Sequence, residues 1–353
     1  MTELRRKPST LKQVAASAGV STATVSRVIS GNGIVSKKLL KRVQNAIDTL
    51  DYHPNQAARR LRHMSTKIVG VAISDIQNPF FSTLVEGIES VLQENRYLLL
   101  LGNSNENMER ERQHLNTFLS ERVSGVIFNS TGDDIAYYEK FRLAGVPLVA
   151  VDRKPNKLDV DLIQLANEKA AFDAVNHFFM EGHRRIGLIA GPSTVSTGSE
   201  RCAGYQRALQ ASGLPIDQEL IQTGDFRLTG GYQAMRSLLD LPEPPSAVLV
   251  SNNLMTLGAL QMIHERGLSI PDQISLIGFD DMPWAASLRP PLTVIAQPVY
   301  EMGIAAAHLV LDRIKEPEGP IRQITFETKL IVRASCRCAK LFYPKVTKDE
   351  QNL

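Results

Sequence analysis

Residues 10–30 read TLKQVAASAGVSTATVSRVIS, and their punctuation is that of two short helices joined by a tight turn. Thr10 with Gln13 three residues on is a capping box, which opens a helix. Leu11, Val14, Ala15 and Ala18 follow at helical spacing and are expected to face inward. Gly19 supplies the turn, Val20 plugs the junction, and Ser21 caps a second helix with Val25, Val28 and Ile29 as its buried face. Glycine in a short turn between two such helices marks a helix-turn-helix unit. Thr22, Ala23, Ser26 and Arg27 then fall on the exposed face of the second helix. In this motif the N-terminal part of that helix enters the major groove of DNA. Short side chains at Thr22 and Ala23 suit close approach to base edges, and Arg27 suits guanine O6 and N7 or a phosphate.

Working outward, a third helix is expected after Ser36, through Leu39, Leu40, Val43, Ile47 and Leu50, closing a three-helix core. Tyr52, His53 and Pro54 end that unit, because proline cannot continue a helix. Asn55 can cap one more short helix, QAARRLRHM, which carries Arg59, Arg60 and Arg62 around Leu61. Alone it has little apolar surface to bury and is marginal in water. Ordering on DNA accounts for it, with arginines in the minor groove and Leu61 wedged between base steps. Charge supports this reading. Residues 1–67 hold 13 Lys or Arg against 3 Asp or Glu, a balance of +10, while the remaining chain holds 27 against 34. A small basic module joined to a larger acidic one points to a polyanionic partner for the first.

From Ile68 the pattern changes to short apolar strands alternating with amphipathic helices. IVGVAIS is a continuous β-branched run, as expected of a buried parallel strand. A helix around 82–94 follows, then strand YLLLLGN, a helix around 109–121, and strands GVIFNS and PLVAVD. A second series begins near Ala166: a helix to Met180, strand RIGLIAG, a helix around 200–211, strand AVLVSN, a helix around 255–266 and strand ISLIGFD. Two successive doubly wound α/β units are implied. Open α/β sheets bind ligands at the carboxyl ends of their strands, so two facing units should hold one between them.

Polar and aromatic residues gather at those strand ends. Asn78, Phe80 and Phe81 follow the first strand, Asp152 and Arg153 end PLVAVD, and Arg201 enters a helix after RIGLIAG. Phe226, Asn252 and Asp280 close later strands, and Gln297 lies in the returning segment VIAQP. Sugars require this combination: hydroxyls donate to carboxylates and accept from guanidinium or amide groups, while C–H faces pack on rings. Taken singly, Asn252 and Asp280 also fit strand-end caps, and Phe80 and Phe81 fit core positions.

The runs Val-Ala, Ala-Gly-Val-Ser and Thr-Val-Ser-Arg-Val, followed by Tyr-His-Pro-Asn, resemble the head and hinge of the lactose-repressor/galactose-repressor (LacI/GalR) family. The resemblance continues through nearly the whole chain. It implies a DNA-facing set of Thr10, Ser21, Thr22, Ala23, Thr24, Ser26 and Arg27 in the head and Asn55, Ala58, Arg59 and Leu61 in the hinge. Leu61 would be the leucine that pries open the central step of a near-palindromic double-stranded operator read by a homodimer. The larger module is similar to the periplasmic sugar-binding proteins, above all the ribose-binding protein. Its sugar-contacting positions are matched by Asn78, Phe80, Phe81, Asp152, Arg153, Arg201, Phe226, Asn252, Asp280 and Gln297. Asn253 is a departure, since many relatives carry Asp there, and the change bears on how the cleft closes. A monosaccharide such as ribose is the expected effector. A nucleoside, or a phosphorylated carrier protein of the catabolite-control kind, remains open. Ligand binding would close the cleft, shift the dimer and so set operator affinity.

The implied fold is an all-α helix-turn-helix head plus two doubly wound parallel-sheet subdomains of periplasmic-binding-protein type. The expected boundaries are a head at 1–53, a hinge at 54–66, a ligand-binding core at 67–340 and a polar tail at 341–353. Within the core, 67–164 and 294–326 form the first subdomain, and 165–293 and 327–340 the second. The apolar stripe Leu84, Val85, Ile88, Val91, Leu92 suits either core or a dimer interface. The tail after Cys338 lacks a heptad, so no tetramer-forming helix is expected. The three cysteines and seven histidines have no disulfide or metal spacing, and no cofactor is expected. GDD at 132–134 and GFDD at 278–281 lack a nucleophile or phosphate loop, which argues against an enzyme. No apolar run reaches the roughly 20 residues of a membrane helix, and no secretory signal is read at the start, so a cytoplasmic protein is expected.

Overall fold

The computed structural model describes residues 9–30, 35–50, 52, 66–132 and 135–336. The chain divides into two units, Met1–Thr66 and Lys67–Leu353.

In the small unit, α1 spans Leu11–Ala18, α2 Thr22–Ser30 and α3 Lys37–Thr49. The Thr10–Gln13 capping box forms, with the Thr10 N–H donating to Gln13 Oε1 at 2.7 Å and Gln13 N–H to Thr10 Oγ1 at 3.4 Å. Gly19 takes the left-handed conformation, φ 62, which turns the chain after α1 without Cβ strain. Val14, Ala15, Ala18, Val25, Val43, Ala46 and Tyr52 form the core, with Leu11, Val20, Val28, Ile47 and Leu50 packed at its edge. Leu40, expected inside, is exposed. The side chain of Ile29 and the hinge, including Asn55, Ala58, Arg59 and Leu61, lie outside the described residues.

The large unit holds two six-stranded sheets. The first contains β1 (Ile68–Ile73), β2 (Leu98–Asn103), β3 (Gly125–Phe128), β4 (Leu148–Val151), β5 (Asp161–Leu165) and β11 (Gln323–Phe326), in spatial order 11-5-4-3-1-2. All its neighbours are parallel. The second contains β6 (Ile186–Ala190), β7 (Ile221–Thr223), β8 (Ala247–Val250), β9 (Ser275–Phe279), β10 (Thr293–Ala296) and β12 (Lys329–Ile331), in order 12-10-9-8-6-7. Its neighbours are parallel save for β10 with β12. Helices cover the sheets: α4 (Pro79–Glu94), α5 (Met108–Ser120), α6 (Ile135–Leu143) and α11 (Val299–Lys315) in the first lobe, and α7 (Asn167–Met180), α8 (Ser196–Ala211), α9 (Leu228–Leu239) and α10 (Asn253–Glu265) in the second.

The chain therefore passes between lobes three times, after β5, β10 and β11. The second passage corrects the expected boundary: residues 294–296 belong to the second sheet, because Thr293, Val294 and Ile295 pair with Ile277, Gly278 and Phe279 of β9. Gln297 is thus the crossing residue itself. The apolar stripe of α4 is core, since Leu84, Ile88, Val91 and Leu92 are all buried. It is pressed against α11 at two glycines. A Cβ on Gly87 would stand 2.2 Å from the Tyr300 carbonyl oxygen, and one on Gly303 would stand 2.3 Å from that of Leu84. Among the described residues, no helix is long and apolar enough to cross a membrane.

Candidate functional site

On the head, Thr22, Ala23 and Arg27 are exposed, as a reading face requires. Ser21 Oγ accepts from the Thr24 N–H at 3.2 Å and pairs with Thr24 Oγ1 at 2.9 Å. Ser21 Oγ and Thr10 Oγ1 each take a second bond from an N–H that already donates to the same residue's carbonyl, and so tighten a helix start. Ser26 is half-buried. Arg42 turns its guanidinium back on the Ala18 and Gly19 carbonyls and closes the end of α1.

Between the two lobes of the large unit lies a cleft with about 470 Å³ of atom-free space, part of it open solvent. All ten residues expected at the effector site line it: Asn78, Phe80, Phe81, Asp152, Arg153, Arg201, Phe226, Asn252, Asp280 and Gln297. Asp75, Glu106, Thr197 and Arg227 join them, none of which the sequence reading singled out. Asp75 and Glu106 follow the ends of β1 and β2, so the strand-end rule could have found them. Thr197, one residue inside α8, carries no such signal.

The first lobe presents a charged cluster. Arg153 donates from Nη1 and Nη2 to the two carboxylate oxygens of Glu106 at 2.8 and 2.6 Å, and from Nη1 to Ser74 Oγ and the Ser130 carbonyl at 3.2 Å each. Its Nε is buried with no hydrogen-bond partner among the described residues, 4.0 Å from Asp152 Oδ2. Asp152 Oδ2 also accepts from Asn129 Nδ2 at 2.9 Å. Burial pushes the Asp152 carboxyl above its ordinary range, against the pull of Arg153 and Arg201.

The second lobe supplies a matching set. Arg201 donates from Nε to Asn167 Oδ1 at 2.8 Å and from Nη1 to the Ser251 carbonyl, and lies 4.0 Å over the Phe279 ring. Burial pushes the Asp280 carboxyl up to about 6, with Arg201 opposing it. Asp280 accepts from the Asn253 N–H at 3.3 Å and from Gln297 Nε2. Gln297 Oε1 is buried with no hydrogen-bond partner among the described residues. Asn252 is a cap as well as a lining residue: Oδ1 accepts from the Met255 N–H at 2.9 Å, and Nδ2 donates to the Phe226 carbonyl at 2.9 Å.

Aromatic surface comes from both sides. Phe80 and Phe81 meet edge to face at 5.1 Å, buried in the first-lobe core while lining the cleft. These rings are therefore core residues that also line the cleft. Phe226 sits under Arg153 at 5.4 Å. Four lining residues other than glycine occupy the left-handed backbone region: Glu106, Asp152, Phe226 and Asp280, with φ from 55 to 73. Such conformations cost about 1–3 kcal/mol each and gather where geometry is fixed for a ligand. Gly191 makes room for one of them, since a Cβ there would stand 2.1 Å from the Phe226 ring.

Comparison with known proteins agrees with both halves of this picture. The description "Bacterial regulatory proteins, lacI family" matches residues 10–55, and "Periplasmic binding protein-like domain" matches residues 175–336. The HTH-type transcriptional repressor CytR of Escherichia coli (strain K12) is 35% identical over 331 residues, which span 93% of this chain and 96% of that protein. The ribose operon repressor of the same strain is 36% identical over 328 residues, 93% and 99% of the two chains. The lac repressor dimer bound to operator and the anti-inducer ONPF superposes with a TM-score of 0.84 at 28% identity, covering 94% of this chain and 100% of that one.

Proposed function

The chain belongs to the lacI family of bacterial regulatory proteins, as a transcriptional repressor regulated by a small-molecule effector, and we propose that this effector is an unphosphorylated monosaccharide, with D-ribose the first choice. One observation carries the proposal. Around the cleft stand a buried donor, Arg153 Nε, and a buried acceptor, Gln297 Oε1, both without hydrogen-bond partners among the described residues. Buried polar groups are costly unless paired. A ligand that satisfies both must donate and accept, as a sugar hydroxyl does.

Charge narrows the choice. Four carboxylates, Asp75, Glu106, Asp152 and Asp280, against three guanidiniums, Arg153, Arg201 and Arg227, line the cleft, a balance that leaves no net positive charge for a phosphate. The rings of Phe80, Phe81 and Phe226 offer apolar faces for sugar C–H groups. The three rings also favour a second reading, a nucleoside, which carries the same pentose with a base that can stack on them.

On the DNA side, Thr22, Ala23 and Arg27 read base edges, and Leu61 of the hinge wedges the centre of the site. Two heads of a homodimer then recognise a near-palindromic double-stranded operator. Effector binding shifts the population between operator-binding and operator-releasing states.

Fluorescence anisotropy tests this reading with a labelled operator selected in vitro on the full chain. D-ribose or another free pentose or hexose should change operator occupancy. A response to nucleosides alone selects the second reading, and a response to neither removes the proposal.

A further inference from the structure

Among the described residues, hydrogen bonds cross the cleft at three places. Asn253 Nδ2 donates to Asn78 Oδ1 at 2.8 Å. Arg227 donates to the Asn105 carbonyl at 2.9 Å and to its Oδ1 at 3.2 Å. The Lys154 N–H donates to Ser196 Oγ at 2.9 Å. Only the first joins two buried side chains, 1% exposed for Asn253 and 7% for Asn78. It is also the one formed where many relatives are expected to carry a carboxylate in place of Asn253.

We infer that Asn253 is a positioning residue: its side-chain amide is a latch that draws the start of α10 onto the start of α4 and sets how far the cleft is closed. The direction of the bond is forced. Asn78 Oδ1 already accepts from the Phe80 N–H at 3.0 Å as the cap of α4. Turning the Asn78 amide around would set an N–H against that N–H. Asn78 therefore presents an acceptor, and its partner must donate. The Asn253 N–H is engaged with Asp280 Oδ2 at 3.3 Å, and Asn253 Oδ1 has no hydrogen-bond partner among the described residues. The side-chain amide N–H is thus what Asn253 brings across the cleft. An ionised carboxylate at this position has no proton to give and would place acceptor against acceptor.

The charged groups lining the cleft beside the latch are Asp75, Glu106, Asp152 and Asp280, with Arg153, Arg201 and Arg227, and of these Asp280 touches Asn253 itself. Burial at this position and the adjoining Asp280 carboxylate, 3.3 Å from the Asn253 backbone nitrogen, would raise the pKa of a new carboxyl there. Protonated, that carboxyl regains an O–H donor. The inference holds whatever the effector is.

The test is pulsed-EPR distance measurement on the full chain without effector. Spin labels replace exposed Glu109 of the first lobe and Arg236 of the second, with the native cysteines substituted and labelled chain diluted into unlabelled chain. The unsubstituted latch and Asn78→Asp, whose carboxylate still accepts both bonds, should give one short interlobe distance at about pH 8 and at about pH 5. Asn253→Asp should shift to a longer distance at about pH 8 and return at about pH 5, whereas Asn253→Ala stays long at both. An unchanged distance in Asn253→Asp at the higher pH overturns the inference. So does a lengthening that does not reverse on acidification, or a long distance in Asn78→Asp.

Discussion

Arg153 grips Glu106 with both arms of its guanidinium, at 2.8 and 2.6 Å, so a residue at the end of β4 is held by one just past the end of β2. Paired forks of this kind fix direction as well as charge. Glu106 reaches this position from the left-handed backbone region, φ 55, and Arg153 is thereby held with Nε beside Asp152 and its face toward the Phe226 ring.

Glu106→Ala should leave that guanidinium buried without its main counter-charge. Breaking such a pair costs about 3–5 kcal/mol when it is fully buried, and about 2–3 kcal/mol here, where Glu106 is partly exposed. Chemical denaturation reads that loss directly. Effector affinity should fall at least about tenfold with it, since Arg153 is no longer aimed. Unaltered affinity would show that Glu106 serves stability alone.

Asn252 holds the Phe226 loop as well as α10. Asn252→Ala should cost about 1–2 kcal/mol through the lost cap. Asn252→Asp keeps the cap acceptor but loses the donor to the Phe226 carbonyl, so it should weaken effector binding with less loss of stability. Equal behaviour of the two variants in thermal unfolding and ligand titration would rule out a separate role for the loop bond.

Asp280 gives the large unit a pH signature. Its carboxyl titrates near the ordinary 3.8 when unfolded and at about 6 when folded, because burial disfavours the charged form. Between those values the folded state binds more protons, so this group's contribution to stability falls as pH rises through the window. Asp280→Asn removes the penalty. The variant should match the parent near pH 4 and exceed it above pH 6 by on the order of 2–3 kcal/mol in denaturant melts. A difference independent of pH would place the cause elsewhere.

Leu61→Ala tests the hinge. The wedge contributes only where the central base step opens, whereas phosphate contacts act on any sequence. Specific operator binding should therefore be lost while non-specific binding persists with its steep salt dependence. Equal loss on operator and random duplex would exclude the wedge.

Much of this site was legible because strand ends are where an open α/β sheet meets its ligand. Asn78, Asp152, Asn252 and Asp280 all close apolar runs, and each lines the cleft. What escaped is of another kind. Thr197, inside α8, reaches the cleft only through three-dimensional packing. The passage after β10 was placed three residues early because VIAQP looks like a crossing until its pairing with β9 is known. Leu40 follows the helical apolar pattern, yet the three-helix core is filled without it. Thr24 has the residue type of a base reader, and its hydroxyl also pairs with that of Ser21, a contact the spacing alone does not reveal. The cross-cleft bond of Asn253 has no periodicity or spacing to announce it.

The central claim is that a free sugar binds among these residues, and isothermal titration of D-ribose into the purified full chain, with Arg201→Ala in parallel, tests it most directly. The account predicts saturable binding with a dissociation constant on the order of micromolar, lost in the variant. Undiminished binding by Arg201→Ala, or no binding of any pentose, hexose or nucleoside by the parent chain, would contradict it.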